Sequence, residues 1–126
     1  MTNSKQKGAR GERELSNKLK EYGYNTRRGQ QYCGANGDAD VVGLPGIHIE
    51  CKRVEKLNLY KAMEQAQNDA REDETPVVMH RKDRSEWFVT MRLDDWMEFY
   101  GKHNCSDCSI YDEVIDEMGK TQFKFK

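Results

Sequence analysis

The chain contains no apolar run approaching the roughly 20 residues that a bilayer-spanning helix needs. Its opening Met-Thr-Asn-Ser-Lys-Gln-Lys is polar where a secretory leader carries an apolar segment. Both absences point to a soluble, cytoplasmic protein. The four cysteines form no evenly spaced framework of the kind that staples a secreted domain, so reduced thiols are expected. No repeat, linker or low-complexity tract is present. Nor is there an excess of one charge: 21 Lys and Arg stand against 22 Asp and Glu, a formal net charge of −1 that, taken as a sum, argues against a nucleic-acid partner. With 126 residues, 36% hydrophobic and 34% charged, the chain is expected to form a single domain (1–126) with one modest core and much exposed surface.

What is present is concentrated in Gly37-Asp38-Ala39-Asp40-Val41-Val42-Gly43-Leu44-Pro45-Gly46-Ile47-His48-Ile49-Glu50-Cys51-Lys52-Arg53. Two β-branched runs, Val41 to Val42 and Ile47 to Ile49, flank Leu44-Pro45-Gly46, the pattern of two short strands and a tight turn. A turn centred near Pro45 sets Val42 against His48 and Asp40 against Glu50. Alternation along the strand then puts Asp40, Glu50 and Lys52 on one face and Ile47, Ile49 and Cys51 on the other. Two carboxylates directly opposite repel unless something positive lies between them. A hard divalent cation reverses that sign, because Mg²⁺ is commonly held by one or two carboxylates together with waters and phosphate oxygens. Lys52, on the same face, is placed to orient a water or to neutralise charge developing on a phosphate. A solvated strand face carrying charges by chance is the simpler alternative.

These residues resemble the PD-(D/E)XK nuclease superfamily, whose core motif is an Asp, a short hairpin and Glu-x-Lys. Ala39-Asp40 stands where the family often has Pro-Asp, and Glu50-Cys51-Lys52 supplies the second element. More narrowly, the chain is similar to the archaeal-type Holliday junction resolvases and their bacteriophage relatives, which begin with a Gly-x-x-x-Glu helix and carry a Gly-rich loop before the Asp. Gly8 to Glu12 and Cys33-Gly34-Ala35-Asn36-Gly37 match those features. The likeness covers about residues 7–100, leaving about 101–126 as a C-terminal extension. It implies an α/β, restriction-endonuclease-like mixed sheet flanked by helices, and a host cytoplasm if the protein is phage-encoded. The junction-resolving part is the less specific one, since the superfamily reuses one core for many DNA substrates.

The first helix, expected from Lys7 to about Tyr22, carries Leu15, Leu19 and Tyr22 as an inward stripe, with Glu12 one turn before Leu15. An inward carboxylate needs a cation or donor. Glu12 alternatively begins the helix and favours its dipole; the resemblance implies a metal ligand. Glu14 shares a face with Lys18 and Glu21 and is expected to be solvated. Before Ala62 the bases outnumber the acids, and beyond it the acids dominate, so the basic half holds the proposed site and can grip phosphates. Arg10, Arg13, Arg27, Arg28 and Arg53 are the candidates for DNA contact, and Lys18 and Lys20 for plain solvated surface.

Further elements are a strand over 25–28, a loop over 29–37, a helix from about Asn58 to Ala70 with the stripe Leu59, Ala62, Met63, Ala66 and Ala70, strands over 76–80 and 87–91, and a short helix over 93–100. Relatives often place a glutamine after the Glu-x-Lys strand; Gln65 is preferred over Gln67 because it adjoins Ala62, Ala66 and Asp69. His48 shares the Glu50 face, with a structural role the simpler reading. Trp87, Phe88, Trp96 and Phe99 are expected in the core rather than stacked on bases. His103-Asn104-Cys105-Ser106-Asp107-Cys108 lacks the further ligands of a structural zinc site, so a loop before a helix over 110–118 is expected there.

The expectation is therefore a Mg²⁺-dependent structure-selective DNA endonuclease, a Holliday junction resolvase, with Mn²⁺ as a substitute cation. Glu12, Asp40, Glu50 and the Cys51 carbonyl are the candidate metal ligands, with Lys52 and Gln65 assisting attack by metal-activated water. Its partners would be branched DNA and a second copy of the chain, because a near two-fold junction needs two paired cuts. Ile110, Tyr111, Val114, Ile115 and Met118, followed by Gln122-Phe123-Lys124-Phe125, are a candidate dimer patch or a cap on the monomer core. The alternatives are a flap, single-strand or end-processing nuclease, or a DNA-binding module without catalysis.

Overall fold

The computed structural model describes residues 4–29 and 39–104. Of the loop expected over 29–37 all but Gly29, together with the Cys105 and Cys108 segment, the expected helix over 110–118 and the final alternating stretch, lie outside them. The chain divides into two compact units, Met1–Met91 and Arg92–Lys126.

In the first unit, helix α1 (Ser4–Lys20) leads through a turn to β1 (Arg27–Arg28), β2 (Val41–Val42) and β3 (Ile47–Arg53), then α2 (Leu59–Asp69), β4 (Thr75–Arg81) and β5 (Phe88–Met91). The five strands form one mixed sheet in the order β1-β2-β3-β4-β5, in which only the β3–β4 pair is parallel. A parallel pair needs a long crossover, and α2 supplies it. Asn58 caps this helix, its side chain accepting from the Lys61 amide at 3.1 Å.

The helices define two core layers through the alternation of β3. Leu15 of α1 packs with Val41, Ile49, Cys51, Val77 and Met79, whereas Ala62, Met63 and Ala66 of α2 pack on Val78. Cys51 thus lies opposite the Glu50 face, as the strand periodicity predicts. Thr26 Oγ1 donates to the Ser16 carbonyl at 2.7 Å, a buried bond that ties α1 to the segment entering β1. The α1 stripe ends earlier than its spacing predicts. Leu15 is buried and Leu19 partly so, but the helix stops at Lys20 and Tyr22 lies in the following turn, 68% exposed. Phe88 likewise departs from the expected core: it sits on β5, the edge strand among the described residues, and is 58% exposed, while its neighbour Trp87 packs on the α1-side cluster.

Glu14 is also not simply solvated. It accepts from Arg53 Nε at 2.8 Å and from Arg81 Nη1 at 3.0 Å, joining α1 to the ends of the parallel strands β3 and β4. Gly11 allows the close approach there, since a Cβ at this position would stand 3.0 Å from that of Arg53.

In the second unit, α3 (Leu93–Asn104) runs four residues beyond its expected end and takes in His103 and Asn104. Asp94 and Asp95 in its first turn and Lys102 and His103 in its last suit the helix dipole. Trp96 stacks on Tyr100 with centroids 5.2 Å apart.

The β2–β3 turn contains two left-handed glycines with different surroundings. Gly43 (φ 122°) would place a Cβ 2.6 Å from the Asn25 carbonyl oxygen and the Thr26 Cα, whereas Gly46 (φ 82°) has open space. Gly46→Ala should cost about 1 kcal/mol of unfolding free energy. Gly43→Ala should cost about 3 kcal/mol or more, because strain and a backbone clash add. Urea titrations of the two variants check the difference.

Candidate active site

The site starts from strand pairing. Val41 pairs with Ile49, which carries Asp40 to the level of Glu50. There the ladder gives way to a side chain: the Asp40 amide donates to the Ile49 carbonyl at 3.0 Å, and Asp40 Oδ2 accepts the Cys51 amide at 2.9 Å. The carboxylate thereby replaces a backbone acceptor and is fixed at the strand end. Glu50, 3% exposed, faces it, and Lys52 Nζ lies 3.7 Å from Glu50 Oε2 on the same face.

Glu12 enters from α1. Arg28 Nε on β1 donates to Glu12 Oε1 at 3.0 Å, so the helix glutamate is held by the strand that precedes the hairpin. Burial raises the Glu12 pKa above the usual carboxylate value, opposed by the Arg28 hydrogen bond and reinforced by Asp40. Asp40 is raised for the same first reason, with the Cys51 amide and Lys52 pulling the other way. Glu50 is pushed up to about 8, by burial first and then by the charge of Asp40, and keeps a proton hydrogen-bonded toward Asp40. Burial followed by the surrounding carboxylates pushes the Cys51 thiol up, leaving it an inert core group.

A third arm comes from α2. Asp69, its last residue, brings a carboxylate oxygen within 4.8 Å of donor atoms of His48 and Glu50. Sequence reasoning did not assign Asp69 a role. Its spacing carried the signal, since it lies three and seven residues after the buried Ala66 and Ala62, on the helix stripe that faces the sheet. Gln65 and Gln67 are both exposed, and among the described residues neither is hydrogen-bonded to the carboxylates.

The five arginines separate into two sets. Arg28 and Arg53 already hold carboxylates, Arg53 bridging Glu14 and Asp83 at 2.8 and 3.0 Å. Arg10, Arg13 and Arg27 are exposed and, among the described residues, form no ion pair. A groove of about 800 Å³ lies elsewhere, between α1 and the β4–β5 corner, and is lined by none of Glu12, Asp40, Glu50 and Asp69.

A carboxylate pair that is buried, mutually repelling and partly protonated fits a divalent cation, and its oxygen donors suit a hard one. Residues 3–125 match the family described as “Phage putative PDDEXK endonuclease”. The chain belongs to that family. This phage-type PD-(D/E)XK endonuclease is also similar in structure to Hjc of Archaeoglobus fulgidus, a Holliday junction resolvase from an archaeal hyperthermophile. The TM-score is 0.52 at 26% identity, over 68% of this chain and 72% of that one. No curated protein matches the sequence. No helix among the described residues is long and apolar enough to cross a membrane.

The Glu50 shift fixes a pH dependence. Its pKa lies at 4.5 ordinarily and at about 8 in the folded protein, so the folded state binds more protons and loses stability as pH rises from the first value toward the second. Without divalent cation, the melting temperature should fall by roughly 5 °C or more over that window. Glu50→Gln should flatten the profile, and saturating Mg²⁺ should restore stability at the alkaline end. Thermal scans across pH, with and without the ion, measure both effects.

Proposed function

We propose that this endonuclease is a Mg²⁺-dependent, structure-selective DNA nuclease that resolves four-way junctions as a homodimer. The observation that carries the reading is the hairpin geometry: Asp40 is locked onto the Cys51 amide, faces the buried Glu50, and has Lys52 beside it. The likeness to Hjc supports the choice of substrate.

Glu12, Asp40, Glu50 and the Cys51 carbonyl would hold the cation, with Mn²⁺ able to replace Mg²⁺. When bound, it supplies Lewis acidity to the attacking water and to the scissile phosphate. Asp40, anchored through Oδ2, cannot swing away from Glu50, so the pair is preorganised before substrate arrives. Lys52 keeps a positive charge at the open edge of that pair and stabilises the negative charge that grows on the phosphate oxygens. Arg28 holds Glu12 in place, while exposed Arg10, Arg13 and Arg27 contact flanking phosphates. The whole 126-residue chain acts as one nuclease domain in this reading.

Cleavage of a four-way junction, a flap, a single strand and a linear duplex of one sequence in Mg²⁺ tests the substrate. Paired symmetric cuts in the junction at least tenfold faster than in the others are expected; preference for the flap or single strand would replace resolution by end processing. Lys52→Ala should lower the single-turnover rate by about 10²- to 10³-fold, yet change junction affinity, measured in Ca²⁺, by less than about threefold, because one charge among many phosphate contacts adds little grip. An equal loss of affinity and rate would make Lys52 an anchor.

The dimer is tested separately. Light scattering at micromolar concentration should give twice the 14.7 kDa chain mass. Mixed dimers of wild type with Asp40→Asn should nick one strand of a junction without resolving it. A monomer that stays single on junction DNA would exclude paired cutting by one assembly.

A further inference from the structure

We propose that His48, Glu50 and Asp69 form a second cation site on the α2 side of the sheet, one that selects a nitrogen-accepting transition ion such as Mn²⁺ or Co²⁺ over Mg²⁺. The site shares Glu50 with the proposed nuclease centre but does not depend on which DNA that centre cuts.

The first observation is the grouping itself: one donor atom from each of the three side chains lies within 4.8 Å of the other two. Ligand atoms about 2.1 Å from a common ion stand at most roughly 4.2 Å apart, so a small side-chain rotation closes the set. The second observation is independent of the acids. His48 is 3% exposed, and among the described residues its Nε2 is buried without a hydrogen-bond partner. A buried polar atom left in this way costs about 1–3 kcal/mol, which an occupant would recover.

Tautomer and charge both favour a cation as that occupant. Glu74 Oε1 stands 3.5 Å from His48 Nδ1; with the ring proton on that nitrogen, Nε2 would offer its lone pair as the ligand. This is the carboxylate–histidine–metal arrangement that orients imidazole ligands in proteins. Two carboxylates and a neutral imidazole are balanced by one divalent ion. The ion would also meet the negative end of α2, which terminates at Asp69. Asp69 is exposed and provides an entry path, while His48 and Glu50 form the buried floor. Selectivity follows from the donor type: imidazole suits transition ions, whereas Mg²⁺ prefers an all-oxygen shell. An ion here would engage the Glu50 carboxylate, making Glu50 a bridge between two centres.

The test reads binding by pulsed electron paramagnetic resonance of Mn²⁺ on the full chain without DNA. Wild type should show ¹⁴N coupling from one imidazole, persisting in a large excess of Mg²⁺. His48→Gln should abolish the coupling, and Asp69→Asn should weaken the nitrogen-coupled ion at least tenfold. Asp40→Asn should leave the coupling in place, because Asp40 belongs only to the first centre. Circular dichroism and melting curves confirm that each variant is folded; Asp69→Asn, at an exposed helix end, keeps the test open if His48→Gln does not fold. Absence of ¹⁴N coupling in the wild type would assign Nε2 to an ordered water and overturn the second site. Unchanged Mn²⁺ affinity in a folded Asp69→Asn protein would overturn it as well. Failure of junction cleavage with the nitrogen-coupled ion bound would refute the resolvase reading and leave this site standing.

Discussion

The bond from the Cys51 amide to Asp40 Oδ2 is the contact on which the site depends. It ends the β2–β3 ladder, fixes the carboxylate at the level of Glu50, and does so within a short hairpin whose Val41 and Ile49 are completely buried. A one-residue slip of this pairing would turn every side chain of β3 to the other face. Glu50 would then point into the layer of Leu15, and Cys51 would occupy the acidic face. Burial of Ile49 on the α1 side and of the short α2 stripe on the other therefore positions the chemistry as firmly as any bond within it.

Repulsion is built into that geometry. Asp40 and Glu50 sit in a low-dielectric strand end, and the Glu50 pKa is pushed up to about 8, by burial first and then by the charge of Asp40. The fold supplies the energy to hold them there, at a cost to stability of the kind found at functional sites. Arg28 and Lys52 offset part of the cost, each engaging one carboxylate at the edge of the group. A separate network, Glu14 with Arg53 and Arg81, fastens α1 to the ends of the central strands. Its partially exposed pairs contribute modestly to stability, but they engage Glu14 away from Asp40 and Glu50 and withdraw Arg53 from free solvent. Among the described residues, Arg10, Arg13 and Arg27 stay exposed and form no ion pair.

Much of this was legible in the residues because it is local. The hairpin, its register and the facing of Asp40, Glu50 and Lys52 follow from β-branched runs around Leu44-Pro45-Gly46 and from strand periodicity. Helix α2 was legible through its apolar stripe, of which Ala62, Met63 and Ala66 are buried. Where reading failed, the reason was tertiary. Tyr22 has the helical spacing of a core residue, but the helix ends before it. Phe88 has the composition of a core strand residue, yet it lies on an edge whose outer side carries no further strand among the described residues.

By itself, then, the sequence determined the α/β class, the nuclease motif and which face of β3 carries charge, since each rests on contacts a few residues apart. Only the tertiary structure decided which distant groups meet. Glu14 finds Arg53 and Arg81 at separations of 39 and 67 residues. Asp69 reaches His48 and Glu50 because the parallel β3–β4 connection lays α2 back across the strand it has just left. Helical spacing sets Asp69 in line with Ala62 and Ala66 but names no partner for it; such meetings arise when two amphipathic faces bury against one sheet and carry their polar neighbours with them.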